Sequence, residues 1–186
     1  FAKGTNISAT EGITNNTINH GTLVFQEGTS IIDATIGGGG RPLKALTLDN
    51  ANTIVQLNKK SAFNGDITLG DGTTLKVGAD LAANNATGAA GNNGTLSFIN
   101  EQPITVTLQG KGGQALKFIE VTKGGVTIDV AGNAINANAQ TQAIKFTNAQ
   151  LASTLTLNNV NLNTVNAESA GNGIHSIEVN VDQDIQ

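Results

Sequence analysis

The chain has 186 residues, of which 38% are hydrophobic and only 13% charged, for a net charge of −4, so it carries enough apolar material for a sizeable core and lacks the charge-rich balance of a disordered segment. Nine Lys and a single Arg are scattered singly apart from Lys59-Lys60, which excludes a basic face for nucleic acid, and no run approaches the roughly 20 apolar residues of a membrane-spanning helix. With six Phe and no Trp, Tyr, Met or Cys, the core has to be built from Leu, Ile, Val and Ala, side chains of similar size that suit stacked layers of equal width.

In chain order, the opening at Phe1, with neither Met nor a signal peptide, leads us to expect a processed or excised piece whose targeting and anchoring parts lie outside these residues. Short apolar runs then recur at 21–25, 30–32, 43–48, 53–57, 66–69, 73–77, 95–98, 104–108, 116–121, 126–130, 144–146, 155–157 and 174–181. Each is three to eight residues long and is bounded by Gly, Asn or Asp, which tolerate positive φ and close tight turns. This is the pattern of β-strands, and no window holds a convincing 3.6-residue apolar period. Residues 80–93, rich in Asn, Gly and Ala, are expected to form an inserted loop within a single domain over 1–186.

Several stretches invite a chemical reading. Gly37 to Gly40 lacks the Gly-Lys-Ser/Thr of a phosphate loop and precedes a strand where that motif needs a helix, so a corner is expected. Asp49, Asp66, Asp71 and Asp80 could suggest calcium, but Gly70-Asp71-Gly72 occurs once, without the repeated nonapeptide that calcium β-rolls require. His20 and His175 stand more than 150 residues apart, and no nucleophile elbow exists to complete a triad with Asp33 or Asp129. Alternation along 174–181 places His175 on the face of Ile177 and Val179, at a partly buried strand start. Asn6, Asn15, Asn85 and Asn93 match the glycosylation pattern, as chance allows in an Asn- and Thr-rich chain. No catalytic, cofactor-binding or metal-ligating residue is therefore assigned, and no cofactor or small-molecule substrate is expected.

Internal similarity adds the architecture. The run opening at Leu116 returns at Ile144 and Ile174, 28 and 30 residues apart, and Leu43-Lys44-Ala45-Leu46 opens in the same way. Gly21 to Phe25 resembles Gly94 to Phe98. Such periods with two or three strands each predict an all-β fold, a right-handed parallel β-helix (β-solenoid) of about seven coils with Gly/Asn-rich turns. Asn side chains at the turns are expected to stack into ladders. A stack of this kind exposes unpaired strands at its ends, so further coils or caps are expected on both sides.

Ala34-Thr35-Ile36-Gly37, followed by Arg41-Pro42-Leu43-Lys44-Ala45-Leu46-Thr47-Leu48-Asp49-Asn50, resembles a recurring segment of the passenger regions of large rickettsial surface autotransporters, the outer-membrane-protein-B type of surface antigen. Residues 62–69 and 94–98 are similar in style to the strands of that family. The resemblance implies an extracellular β-helical passenger at the bacterial cell surface, secreted through a C-terminal membrane barrel, that forms a surface layer and contributes to adhesion to host cells. Its implied partners are neighbouring copies or further coils of the same protein, with a host cell-surface protein as a second partner. Two other readings make different demands: a module binding host protein or glycan would work through residues 80–93, and a polysaccharide-degrading enzyme would need carboxylates such as Asp66 or Asp129. With one Arg and no Trp or Tyr to hold sugar rings, the enzyme is disfavoured.

Overall fold

The structure, a computed structural model, describes residues 5–91, 93–110, 114–122, 124–130, 144–147, 153–158, 167–169 and 175–180. It is an all-β solenoid of about six turns, built from parallel sheets, with one short 3₁₀ turn at Gly38–Gly40 as the only helical element among the described residues. Strands are numbered β1 to β18 in chain order. The longest sheet stacks eight: β1 (Ile7–Ser8), β3 (Thr29–Asp33), β5 (Ile54–Leu57), β8 (Thr74–Val77), β11 (Thr95–Phe98), β13 (Phe118–Val121), β15 (Ile144–Phe146) and β17 (Ala167–Ser169). A second sheet stacks six, from β6 (Ser61–Ala62) through β9 (Leu81–Ala83), β12 (Ile104–Leu108), β14 (Val126–Val130) and β16 (Ser153–Asn158) to β18 (His175–Asn180). The third holds β2 (Thr22–Phe25), β4 (Ala45–Leu48), β7 (Ile67–Leu69) and β10 (Ala86–Gly88).

Every pairing is parallel and in register, so residues at equivalent positions form columns running along the stack. In the eight-stranded sheet one inward column reads Ile32, Leu57, Val77, Phe98, Val121 and Phe146, and another reads Ser30, Val55, Leu75, Leu96, Ile119 and Ile144. All twelve are buried. Each fully buried Leu, Ile, Val or Phe contributes on the order of 1.5–3 kcal/mol, a gain that a single coil could not collect by itself. Isolated bridges extend the six-stranded sheet backwards, adding Ile13 and Ile36 to the inward column of Ser61, Leu81, Val106 and Ile128.

The turn after β4 shows how the local sequence bends the chain. Asn50 and Asn52 adopt φ of 55° and 67°, in the left-handed region that Asn tolerates. The Thr53 hydroxyl, fully buried, donates to the carbonyls of Asp49 at 2.7 Å and Asn50 at 2.9 Å, closing the turn from inside.

All thirteen strands expected from alternation are present, but the repeat that suggested stacking is not the one the structure uses. Ile119, not Leu116, stacks on Ile144, a shift of three residues that makes the step 25. Ile174 lies outside the described residues, and the strand that follows it, β18, belongs to another sheet, where Ile177 stacks on Leu155. Gly21 to Phe25 and Gly94 to Phe98 likewise belong to different sheets. The similar segments reflect a shared strand chemistry, and steps between stacked strands vary because turns differ in length.

Residues 80–93, expected as an inserted loop, instead carry β9 and β10. Leu81, Ala83 and Ala86 point into the core, and β10 forms the edge of the third sheet. Alanine is too weakly apolar to announce a strand, yet here small size is what the interior requires. The inward columns of the third sheet shrink along the stack, from Leu23 through Leu46 and Ile67 to Ala86, and from Phe25 through Leu48 and Leu69 to Gly88. A Cβ at Gly88 would lie 2.6 Å from the Ala115 carbonyl oxygen, because the backbone at 114–115 crosses over that edge. Gln114 closes it: its N–H donates to Thr87 Oγ1 at 2.7 Å, and its carbonyl accepts from the Gly88 N–H at 3.1 Å.

Continuous Asn ladders do not appear among the described residues. The amide groups act as separate clamps, such as Asn64 Nδ2 donating to Asn19 Oδ1, 45 residues earlier in the chain.

Candidate interaction surface

The glycine run after Ile36 is a corner, as its sequence suggests. Gly37 has φ of 71°, and a Cβ there would lie 2.6 Å from the Ala62 carbonyl oxygen and 2.7 Å from Pro42 Cα, so the close approach of two coils requires glycine. Gly39 and Gly40 face open space.

The structure disperses the side chains that could have made a catalytic or metal centre. Asp66 Oδ1 accepts from both Asn84 Nδ2 and Asn85 Nδ2, each at 2.7 Å, tying two coils together at one corner. Asp80 Oδ1 accepts from the Thr105 N–H at 3.0 Å, and Asp49 Oδ1 from the Asn50 N–H at 3.1 Å. Asp71 sits exposed in a turn with Gly72 at φ of 66°. Asp129 is exposed on β14, on a different sheet from the Asp66 corner, so the paired carboxylates of glycoside cleavage are not brought together there. Among the described residues no three His, Asp or Glu side chains converge.

The histidines are equally separate. His20 is exposed, and its backbone carbonyl accepts from the Lys44 N–H at 3.1 Å. His175 is half-buried at the start of β18, in the position that alternation predicts, and stacks on Phe146 with ring centroids 4.9 Å apart and planes 12° from parallel. Asp33 pairs at 3.7 Å with Lys59, both exposed. Of the glycosylation matches, Asn85 is buried with its amide engaged by Asp66, and Asn6 Oδ1 accepts from the Ile31 N–H at 3.2 Å.

What remains outward is a set of flat, ordered faces. On the third sheet Thr47 and Thr68 stack in register after Val24, and the column ends at Thr87, which lies buried beneath Gln114. On the six-stranded sheet Thr105, Thr127 and Thr156 form one column, ending at Glu178, and Ala82, Thr107 and Asp129 form the next. Threonine favours strands because its branched side chain packs on the pleat while its hydroxyl stays available. The eight-stranded sheet presents a more charged column of Gln56, Lys76, Glu120 and Lys145, with the buried Ser97 between Lys76 and Glu120. Beside it Phe118 points outward, with the ammonium groups of Lys145 and Lys117 lying 3.9 Å and 5.6 Å from its ring centroid. Sequence alternation identified which residues face out; only the register shows which of them share a column.

The Asp66 corner ties the polar groups of two coils to one carboxylate oxygen. Asp66→Ala is expected to lower stability by about 2–3 kcal/mol, since it leaves a buried Asn85 amide and the Asn84 amide without an acceptor. Urea unfolding followed by circular dichroism checks this, and a loss below about 0.5 kcal/mol would contradict it.

A family model described as the Rickettsia outer membrane protein B passenger domain matches residues 1–181. The chain is 37% identical over 161 residues to outer membrane protein B of Rickettsia conorii, covering 83% of this chain and 10% of that protein. The protein of the same name from Rickettsia rickettsii gives the same figures, and that from Rickettsia typhi is 37% identical over 167 residues, covering 84% of this chain and 10% of the relative. The chain thus spans about a tenth of the length of these curated relatives. No solved structure matches it.

Proposed function

From the premise that this chain belongs to the Rickettsia outer membrane protein B passenger family, a surface protein of the bacterial outer membrane, we propose that it serves as a structural segment of a surface layer. Lateral contact between copies, or with further coils of the same protein, holds the layer together. The observation that supports this reading is the set of in-register outward columns, above all the threonine columns on two of the three sheets. Their regular spacing, ~4.8 Å from coil to coil, lets one rod repeat the same contact along the length of another. No large apolar patch is needed for such an interface; Ile18 is the exposed large hydrophobic residue among those described. Many weak polar contacts in register suit an assembly that forms only at high local density. Adhesion to host cells is a second role of the same exposed faces.

Sedimentation velocity tests the assembly. The 186-residue chain is expected to associate as its concentration rises, and Thr107→Lys with Thr127→Lys, which put bulky like charges on one flat face, to weaken that association at least tenfold with an unchanged circular-dichroism spectrum. A chain that stays monomeric at millimolar concentration would overturn the proposal.

A further inference from the structure

The turns that join the eight-stranded sheet to the six-stranded one line a groove of about 590 Å³ that no role described so far uses. Three successive turns cross this corner, at 58–60, 78–80 and 99–103, and positions 58, 78 and 99 follow strand ends that are in register. The middle position is Gly78, so a side chain is missing between Asn58 on one coil and Ile99 on the next. The upper turn is longer than the other two and overhangs the gap. Asn100 fixes the overhang: it is 1% exposed, and its Nδ2 donates to the carbonyls of Gln102 at 2.7 Å and Gly125 at 2.9 Å. The cavity is therefore preformed, which reduces the ordering cost of binding.

The lining chemistry is specific. Gln56 Nε2 donates to Asn58 Oδ1 at 2.7 Å, which orients both amides and leaves Gln56 Oε1 and the Asn58 NH₂ group with capacity for further bonds. The Asp80 carboxylate, held at one oxygen by the Thr105 N–H, and Gln102 stand on the exposed rim. A planar amide or carboxylate can bond two neighbouring hydroxyls of a sugar ring through its two polar atoms, while Ile99 offers an apolar surface for the C–H face of such a ring. Asp80 and Glu101 outnumber Lys60 around the groove, which disfavours an anionic ligand. The volume falls within the ~300–1,000 Å³ range of small-ligand sites.

The geometry points to this corner as a binding site for a neutral sugar unit of a glycan. The site is independent of the surface-layer reading, because it lies at a corner and not on the flat threonine faces.

The test is a titration of the isotopically labelled 186-residue chain, kept below its association concentration, with lactose, maltose and N-acetylglucosamine, followed by amide chemical shifts. At least one sugar is expected to give saturable shifts in the millimolar range, confined to residues 56–60, 78–80 and 99–105. Glucuronate is expected to bind roughly tenfold more weakly or not at all. Gly78→Gln, which fills the notch, is expected to abolish the shifts; its Cβ would meet the Leu57 carbonyl oxygen at 3.3 Å, a contact that a small adjustment relieves. Gln102→Ala on the exposed rim supplies a variant without that contact and is expected to weaken binding several-fold. Absence of saturable shifts with all three neutral sugars would overturn the inference, as would shifts centred elsewhere or binding that survives both substitutions.

Discussion

Gly94→Ala is expected to destabilise the chain by about 3 kcal/mol, adding a backbone term of ~1–2 kcal/mol to a comparable packing term. Gly94 has φ of 71°, and a Cβ there would lie 2.3 Å from Leu69 Cβ and 3.2 Å from the Leu69 carbonyl oxygen. The Leu69 side chain is fully buried and cannot swing away. On its other side, the Gly94 carbonyl accepts from the Lys117 N–H at 3.0 Å, so moving the glycine would break a bond to the next coil. Gly40→Ala provides the comparison: it has nearly the same φ, 73°, but its Cβ would meet nothing within 4 Å. Its cost should be the backbone term alone, about 1 kcal/mol. Urea midpoints of the two variants measure the difference, and equal losses would show that the approach of the Leu69 coil does not constrain Gly94.

Phe98→Ala is expected to cost about 3–5 kcal/mol in the same assay. Phe98 is 0% exposed and stacks between Val77 and Val121, with Phe146 one coil beyond Val121 in the same column. Coils above and below hold the cavity open, because register fixes their separation and neither can sink into it. Phe118→Ala removes an aromatic ring of identical size from an outward position, where it meets lysine side chains, and should cost below about 1 kcal/mol. A similar loss for both would mean that the two faces are not divided as the register implies.

The residues from Ile36 to Asn50 show how far a sequence can be read. Their strand-turn-strand pattern and their resemblance to a passenger segment were legible because each depends on neighbours in the chain. Their purpose was not. Ile36 belongs to an inward column through bridges to Ile13 and Ser61, Gly37 is required by a carbonyl 25 residues away, and Leu43 pairs with Phe63. The misjudged repeat has the same origin: Leu116 and Ile144 look alike as strand openings, but turn lengths, which leave no apolar mark, decide that Ile119 is the partner. The rungs at 61–62, 81–83 and 86–88 are not legible in the sequence because their Ser, Ala and Gly residues carry too little hydrophobic signal. The groove could not be read at all, since it is the absence of a side chain at Gly78 between two coils whose alignment only the stack defines.

The separation of inward and outward columns also divides the chain into two kinds of hereditary freedom. A substitution at an inward position must satisfy the coils on both sides, whereas one at an outward threonine or lysine meets mainly water and typically changes stability by less than about 0.5 kcal/mol. An entire face can therefore be rewritten residue by residue without passing through an unfolded ancestor. For a molecule displayed at a bacterial surface, this lets the exposed exterior drift while the internal columns keep the rod intact.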